Sequence, residues 1–225
     1  MQTESEILFE RLCKEKDVNY QKISTAKTKT PDYRLITESS SILIEVKQLD
    51  ENEQDKAIAD AFSRDEETPG TECPSKRVQN KIKDAYEQLK AVDCEDIATG
   101  VILYNNAGFH NYIDQWTVTT AMFGKYRYKL KVPASGGSIV TTGVGFAGSR
   151  KLTETSCRNL SFVAVLKKQR SDKLSLAVFH NPFAIVRLEP SVLSYFADEQ
   201  FIHPNPHKGN WVQWQPGAYC PAPQD

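Results

Sequence analysis

Apolar positions recur along the chain with two different periods, and the change of period marks the elements. Over residues 3–16 (TESEILFERLCKEK), Ile7, Leu8 and Leu12 fall at helical spacing, with Phe9 and Cys13 widening the apolar face. Thr3 followed three residues later by Glu6 fits a capping box, so a helix is predicted to begin there. VNYQKI (18–23) reads as a short strand and TAKTKT as a basic loop. PDYRLIT and ILIEVKQL are β-branched, apolar runs joined by a Ser-rich connection, which predicts a hairpin.

Residues 50–75 are charged and broken by Pro69, Gly70 and Pro74; DKAIADAFSR within them has helical character and the rest reads as loop. The strongest helical pattern is 76–92, where Val78, Ile82, Ala85, Tyr86, Leu89 and Val92 recur every three to four residues. GVILYNN (100–106) is continuously apolar, the mark of a strand buried on both faces. A helix is predicted over 111–123 and an alternating edge strand over 125–132. A long loop of about 133–160 follows, Gly- and Thr-rich over 135–149. SFVAVLKKQ and KLSLAVFHN predict two strands joined at Ser171-Asp172, and SVLSYFADEQ a short helical piece before a tail rich in Pro and Trp. The sum is one α/β domain over 1–190, a mixed central sheet flanked by helices, with an insertion at about 50–75 and a C-terminal extension over 191–225.

Composition narrows the function classes. The chain has 225 residues, 40% hydrophobic and 25% charged, which fits a globular domain and excludes disordered and collagen-like classes. No apolar run is long enough for a membrane span. The acidic start MQTESEILFE lacks the basic n-region of a secretory signal, so a cytoplasmic setting is expected. Five scattered cysteines without a CxxC pair read as free thiols. Lys and Arg number 28 against 29 Asp and Glu, so any contact with phosphates must come from local patches rather than overall basicity. Such patches occur at Lys22, Lys27 and Lys29, at Lys76, Arg77, Lys81 and Lys83, and at Lys125, Arg127, Lys129 and Lys131. The last four share one strand face, opposite Tyr126, Tyr128, Leu130 and Val132. A basic face there either blocks edge-to-edge pairing or tracks phosphates.

The candidate chemistry lies in Pro31-Asp32 and Glu45-Val46-Lys47. On a strand, Ile42, Ile44 and Val46 share one face, and Leu43, Glu45 and Lys47 the other. A hairpin turn over 38–39 or 38–41 sets Asp32 opposite Glu45 or Lys47, and either register brings the two carboxylates within reach of one cation. Two semi-buried carboxylates repel unless a cation lies between them or one is protonated. Oxygen ligands favour Mg²⁺ or Mn²⁺, and Lys47 would orient an attacking water or stabilise charge on a phosphoryl oxygen. The competing reading of Glu45 and Lys47 is an ion pair on a solvated strand face.

With the order helix, PD, hairpin, ExK, amphipathic helix and buried strand, the first 110 or so residues resemble the PD-(D/E)xK nuclease superfamily, the restriction-endonuclease-like fold. The resemblance implies catalytic roles for Asp32, Glu45 and Lys47, and a metal held by Asp32, Glu45 and the backbone carbonyl of Val46. It also implies support from an acidic residue of the first helix, Glu10 (or Glu6), and a polar residue on the helix after ExK, for which Gln79 is the candidate with Arg77 and Lys83 behind it. The implied activity is Mg²⁺-dependent endonucleolytic cleavage of DNA, with RNA left open, and cutting both strands calls for two active sites and so a homodimer. The alternative is a non-catalytic nucleic-acid-binding or interaction module on the same fold. Lys29 and Arg127 join Arg77, Gln79 and Lys83 as candidate nucleic-acid contacts. VFHNPFA (178–184) resembles a closing strand of related chains, and its His180 is expected to be structural, as is His110. Trp211 and Trp214 either pack the tail onto the body or stack on bases. GVGFAG (143–148) lacks the Lys-Ser/Thr of a phosphate loop.

Overall fold

The structure, a computed structural model of the chain, describes residues 2–24, 30–37, 40–67, 74–92, 96–107, 113–133, 138–148, 150–203 and 211–216. Helix α1 (Glu4–Glu15) starts at Thr3, whose side chain and that of Glu6 cap each other's backbone N–H reciprocally. Strands β1 (Asn19–Lys22), β2 (Tyr33–Ile36) and β3 (Ser41–Leu49) form an antiparallel meander. Helix α2 (Glu53–Ser63) lies within the predicted insertion, capped by Asn52 and Asp55. Helix α3 (Pro74–Lys90) begins at a proline, whose missing N–H costs nothing in the first turn.

Strand β4 (Ala98–Asn105) returns parallel to β3, a pairing that needs a long crossover, here through α2 and α3. Helix α4 (Gln115–Phe123), strands β5 (Lys125–Lys131) and β6 (Val140–Ala147), then β7 (Phe162–Lys168) and β8 (Leu174–His180) follow. A 3-10 turn (Pro190–Leu193) leads to β9 (Glu199–Ile202) and β10 (Val212–Gln213). Eight strands make one mixed sheet in the order β1-β2-β3-β4-β7-β8-β9-β10, while β5 and β6 pair only with each other.

The two sheet faces bury separate apolar layers. On one, Leu8, Phe9 and Leu12 of α1 pack with Ile42, Ile44, Ile102, Phe162 and Val178. On the other, Val78, Ile82, Ala85 and Leu89 of α3 and Val118 and Met122 of α4 pack with Leu43, Leu49, Val101, Leu103 and Val165. The mixed α/β architecture thus matches expectation. No helix among the described residues is long and apolar enough to cross a membrane.

Two expectations are corrected. The Gly- and Thr-rich stretch expected as a loop supplies strand β6, which pairs with β5 in a separate two-stranded sheet, where β5 is an edge as expected. Glycines at alternate positions removed the apolar signal of a strand without removing its pairing capacity. Glu199 and Gln200 lie in β9, parallel to β8, rather than in a helical piece. The described part of the tail adds β9 and β10 to the central sheet. Buried His180 and Gln200 share a 2.8 Å hydrogen bond, and Gln200 Nε2 donates to the carbonyl of Pro190 at 2.8 Å. Trp211 packs against Phe123, Phe179 and His203 and donates its indole N–H to Thr119. Packing, not base stacking, accounts for that residue. His110 lies outside the described residues.

One position limits how closely β4 and β7 can be filled. Gly100 is paired with Phe162, and a Cβ there would lie 2.1 Å from Phe162 Cζ. Phe162 is fully buried. Gly100→Ala is expected to cost about 1–3 kcal/mol by overpacking, read as a lower urea midpoint with unchanged slope; an unaltered midpoint would show that the ring can move.

Candidate active site on the third strand

The hairpin register decides which side chains meet. Tyr33 pairs with Ile44 and Ile36 with Ser41, and Thr37 N–H donates to the carbonyl of Ser40 at 2.9 Å. This is the tighter of the two turns considered, and one step beyond the ladder it sets Asp32 opposite Glu45. Asp32 does not continue β2. Its Oδ2 instead accepts the backbone N–H of Val46 at 2.8 Å, so the carboxylate substitutes for the missing strand and is fixed against β3.

Glu45 and Lys47 occupy the row that runs from Leu43 to Leu49, the face covered by α3. Glu45 is 1% exposed, which overturns the solvated-pair reading. Lys47 Nζ donates to Glu45 Oε1 at 2.6 Å and also to Gln88 of α3. Glu45 Oε2 is buried with no hydrogen-bond partner. Burial pushes the Glu45 carboxyl up to about 7, with the neighbouring Asp32 charge acting in the same direction against the pull of Lys47. Burial likewise raises Asp32, opposed by its bond from Val46 and by the charge of Lys47. Asp32, Glu45 and Lys47 therefore come together in one site.

An uncompensated carboxylate oxygen beside a second carboxyl is satisfied by a proton or by a cation. Asp32, Glu45 and a main-chain carbonyl such as that of Val46 form an all-oxygen set that fits Mg²⁺ or Mn²⁺ in donor chemistry. Among the described residues no group of three or more His, Cys, Asp or Glu side chains gathers as a metal site, so the set stands on two carboxylates. Glu10 is not aimed at this pair. It accepts from Tyr33 Oη at 2.7 Å and Gln2 Nε2 at 2.6 Å, and Lys22 Nζ lies 3.4 Å away. Glu6, one turn earlier, is the α1 carboxylate whose charge acts on Asp32.

The apolar stripe of α3 is flanked by two polar rows. Arg77, Lys81 and Gln88 lie on the side of β3 and α2. Arg77 binds Asp55 at 2.7 Å and the carbonyl of Asp50, and Gln88 holds Lys47. Gln79 lies on the other side, its Nε2 3.5 Å from the carbonyl of Thr120 in α4. The helix residue that reaches the site is thus Gln88 rather than Gln79. The signal for it was its place beside Leu89, but periodicity alone treats both flanks alike. Lys83 and Arg127 are exposed, and Lys29 lies outside the described residues.

Comparison with protein-family models, with curated proteins and with solved structures finds no match.

The raised Glu45 carboxyl has a measurable signature. A group that favours its proton more when folded contributes its full stability below its ordinary value of 4.5 and loses that contribution as pH rises through about 7. Glu45→Gln removes the titration while keeping the shape. Thermal melts at about pH 5 and about pH 8 are expected to differ less in the variant than in the wild type. An identical difference in both proteins would contradict the buried placement of this carboxyl.

Proposed function

We propose that the chain is a metal-dependent nuclease of the restriction-endonuclease-like class that hydrolyses DNA phosphodiester bonds. The observation that carries this reading is the buried pairing of Glu45 and Lys47 on one strand face with Asp32 held across from them. The order α1, three-stranded meander, α3, parallel β4 supports the same class. Asp32, Glu45 and the Val46 carbonyl would hold the cation, which when bound neutralises phosphate charge and acidifies a water. Lys47, oriented by Glu45 and Gln88, presents an ammonium group to a phosphoryl oxygen whose charge grows as the bond to phosphorus forms. Burial matters here because the same charge acts more strongly in a low-dielectric site than in water. A duplex cut on both strands needs two such sites, which a homodimer would supply.

A second reading, a non-catalytic binding module, draws on the same two contacts: Lys47 is engaged by both Glu45 and Gln88, and the acidic set is small. It implies salt-sensitive binding without turnover.

The deciding assay is cleavage of plasmid and oligonucleotide substrates with Mg²⁺ or Mn²⁺. Wild type is expected to cut and to stop on EDTA addition. Lys47→Ala is expected to lose about 100-fold or more in rate, the scale for one preorganised electrostatic donor. Wild type and Lys47→Ala leaving a broad DNA panel equally intact would overturn the nuclease reading.

A further inference from the structure

Strands β5 and β6 leave the body as a two-stranded ribbon whose two faces differ in chemistry. Lys125, Arg127, Lys129 and Lys131 line one face and are exposed. None of these four is tied to an acidic group by an ion pair among the described residues. The cross-strand partners of the first three are small, Ala147 opposite Lys125, Gly145 opposite Arg127 and Gly143 opposite Lys129, while Lys131 faces the exposed Val140. A Cβ at Gly143 would stand 3.7 Å from Lys129 Cδ, so the absent side chain is what opens the strip beside the lysine stem. The result is a row of cations with bare main chain beside Arg127 and Lys129. Alternate side chains of a strand step by about 6.8 Å, close to two of the 3.4 Å charge steps along one strand of a duplex.

At the root of the ribbon is a cleft of about 250 Å³, lined by Lys76 and Gln79 of α3, by Lys125 and Arg127, and by Gly124 and Gly148. It is smaller than most pockets that enclose a drug-sized ligand, which run from about 300 Å³ upward. Three cations, two glycines and the polar Ser75, Gln79 and Thr120 in a cleft of this size suit a single phosphate group. Along α3, Gln79 and Gln88 are nine residues apart, about 14 Å of helix rise. The exposed Lys83 lies between them on the outer face.

We infer that the β5–β6 ribbon is a phosphate-gripping arm, its basic face and root cleft holding the sugar–phosphate backbone of the nucleic acid; the identity of that ligand rests on the nuclease reading above. The opposite face, with Tyr128 at 65% and Leu130 at 57% exposure, does not point to a bilayer. A bilayer would have to take the apolar face and leave the four cations aimed away from its headgroups.

The test is fluorescence anisotropy in EDTA, where no cleavage occurs, with a labelled duplex DNA and a single-stranded RNA of the same sequence. Proteins compared are wild type, the combined variant Lys125→Ala, Arg127→Ala, Lys129→Ala and Lys131→Ala, and the single variant Arg127→Gln as a check that needs no refolded ribbon. For a duplex, the slope of log affinity against log salt is expected to shrink by about 0.9 for each phosphate that the variant no longer neutralises, and by about 0.7 for a single strand. Affinity is expected to fall at low salt with the melting temperature unchanged, and the tighter of the two probes identifies the backbone held. Unchanged affinity and slope in both variants would overturn the arm. So would loss of binding to phosphatidylserine-containing vesicles with nucleic-acid binding intact. Cleavage assays separate the two readings: a wild type that binds through the arm but cuts nothing supports the arm while ending the nuclease reading. A wild type that cuts, with variants that bind as it does, ends the arm alone.

Discussion

A carboxylate placed in the covered row of a central strand has to be reconciled with the apolar layer around it, and Glu45 sets that problem for the whole molecule. Its row runs from Leu43 to Leu49, its partner on β4 is Val101, and α3 closes over it. An isolated charge there would cost several kcal/mol. The chain answers with Lys47 two residues on, on the same side of the strand, and with Asp32 at the end of β2. The answer is incomplete, because Asp32 adds negative charge and one Glu45 oxygen keeps no partner. Groups arranged so that the protein does not finish satisfying them are those an added cation or proton completes.

Much of this was legible in the sequence because it follows from strand parity. The alternation Ile42, Ile44, Val46 against Leu43, Glu45, Lys47 places the acid and the amine on one face whatever the rest of the fold does. The capping box at Thr3 and Glu6 and the stripe from Val78 to Leu89 were equally local signals. The hairpin left two registers open, and the choice between them came from Thr37 meeting Ser40. Burial of Glu45 was not legible, since nothing local says that α3 lies over that strand. Nor was the choice of Gln88 over Gln79, because the two flanks of an amphipathic stripe differ only in what they meet. Strand β6 was hidden by its glycines, whereas the helix expected over 111–123 is present as α4 (Gln115–Phe123).

Helix α3 divides the molecule into two chemical territories. One flank carries Arg77 and Gln88 and secures the site strand together with α2, through the buried Asp55 and the carbonyl of Asp50. This anchors the described part of the insertion: Ile58 and Ala61 are buried rather than free in solvent. The other flank carries Gln79 and leans on α4 and the root of the ribbon. One helix thereby sets the positions of the acidic pair and of the basic cleft relative to each other, without either needing to touch the other.

Among the described residues, the aromatic contacts that fasten the ribbon to the body lie at its root. Phe146 packs there on Phe123 and Tyr126 on Phe146, and the chain leaves α4 through Gly124 at φ 87°, a left-handed turn that a side chain would strain. Further out, Tyr128, Leu130 and Val140 are exposed, and a bulge at Thr142 breaks the register. The outer part of β5 and β6 therefore adds little to the central layers. Residues could be gained or lost beyond Tyr126 and Phe146 in matched pairs with small effect on the body, so the span of this appendage is free to drift over evolutionary time while the interior stays fixed.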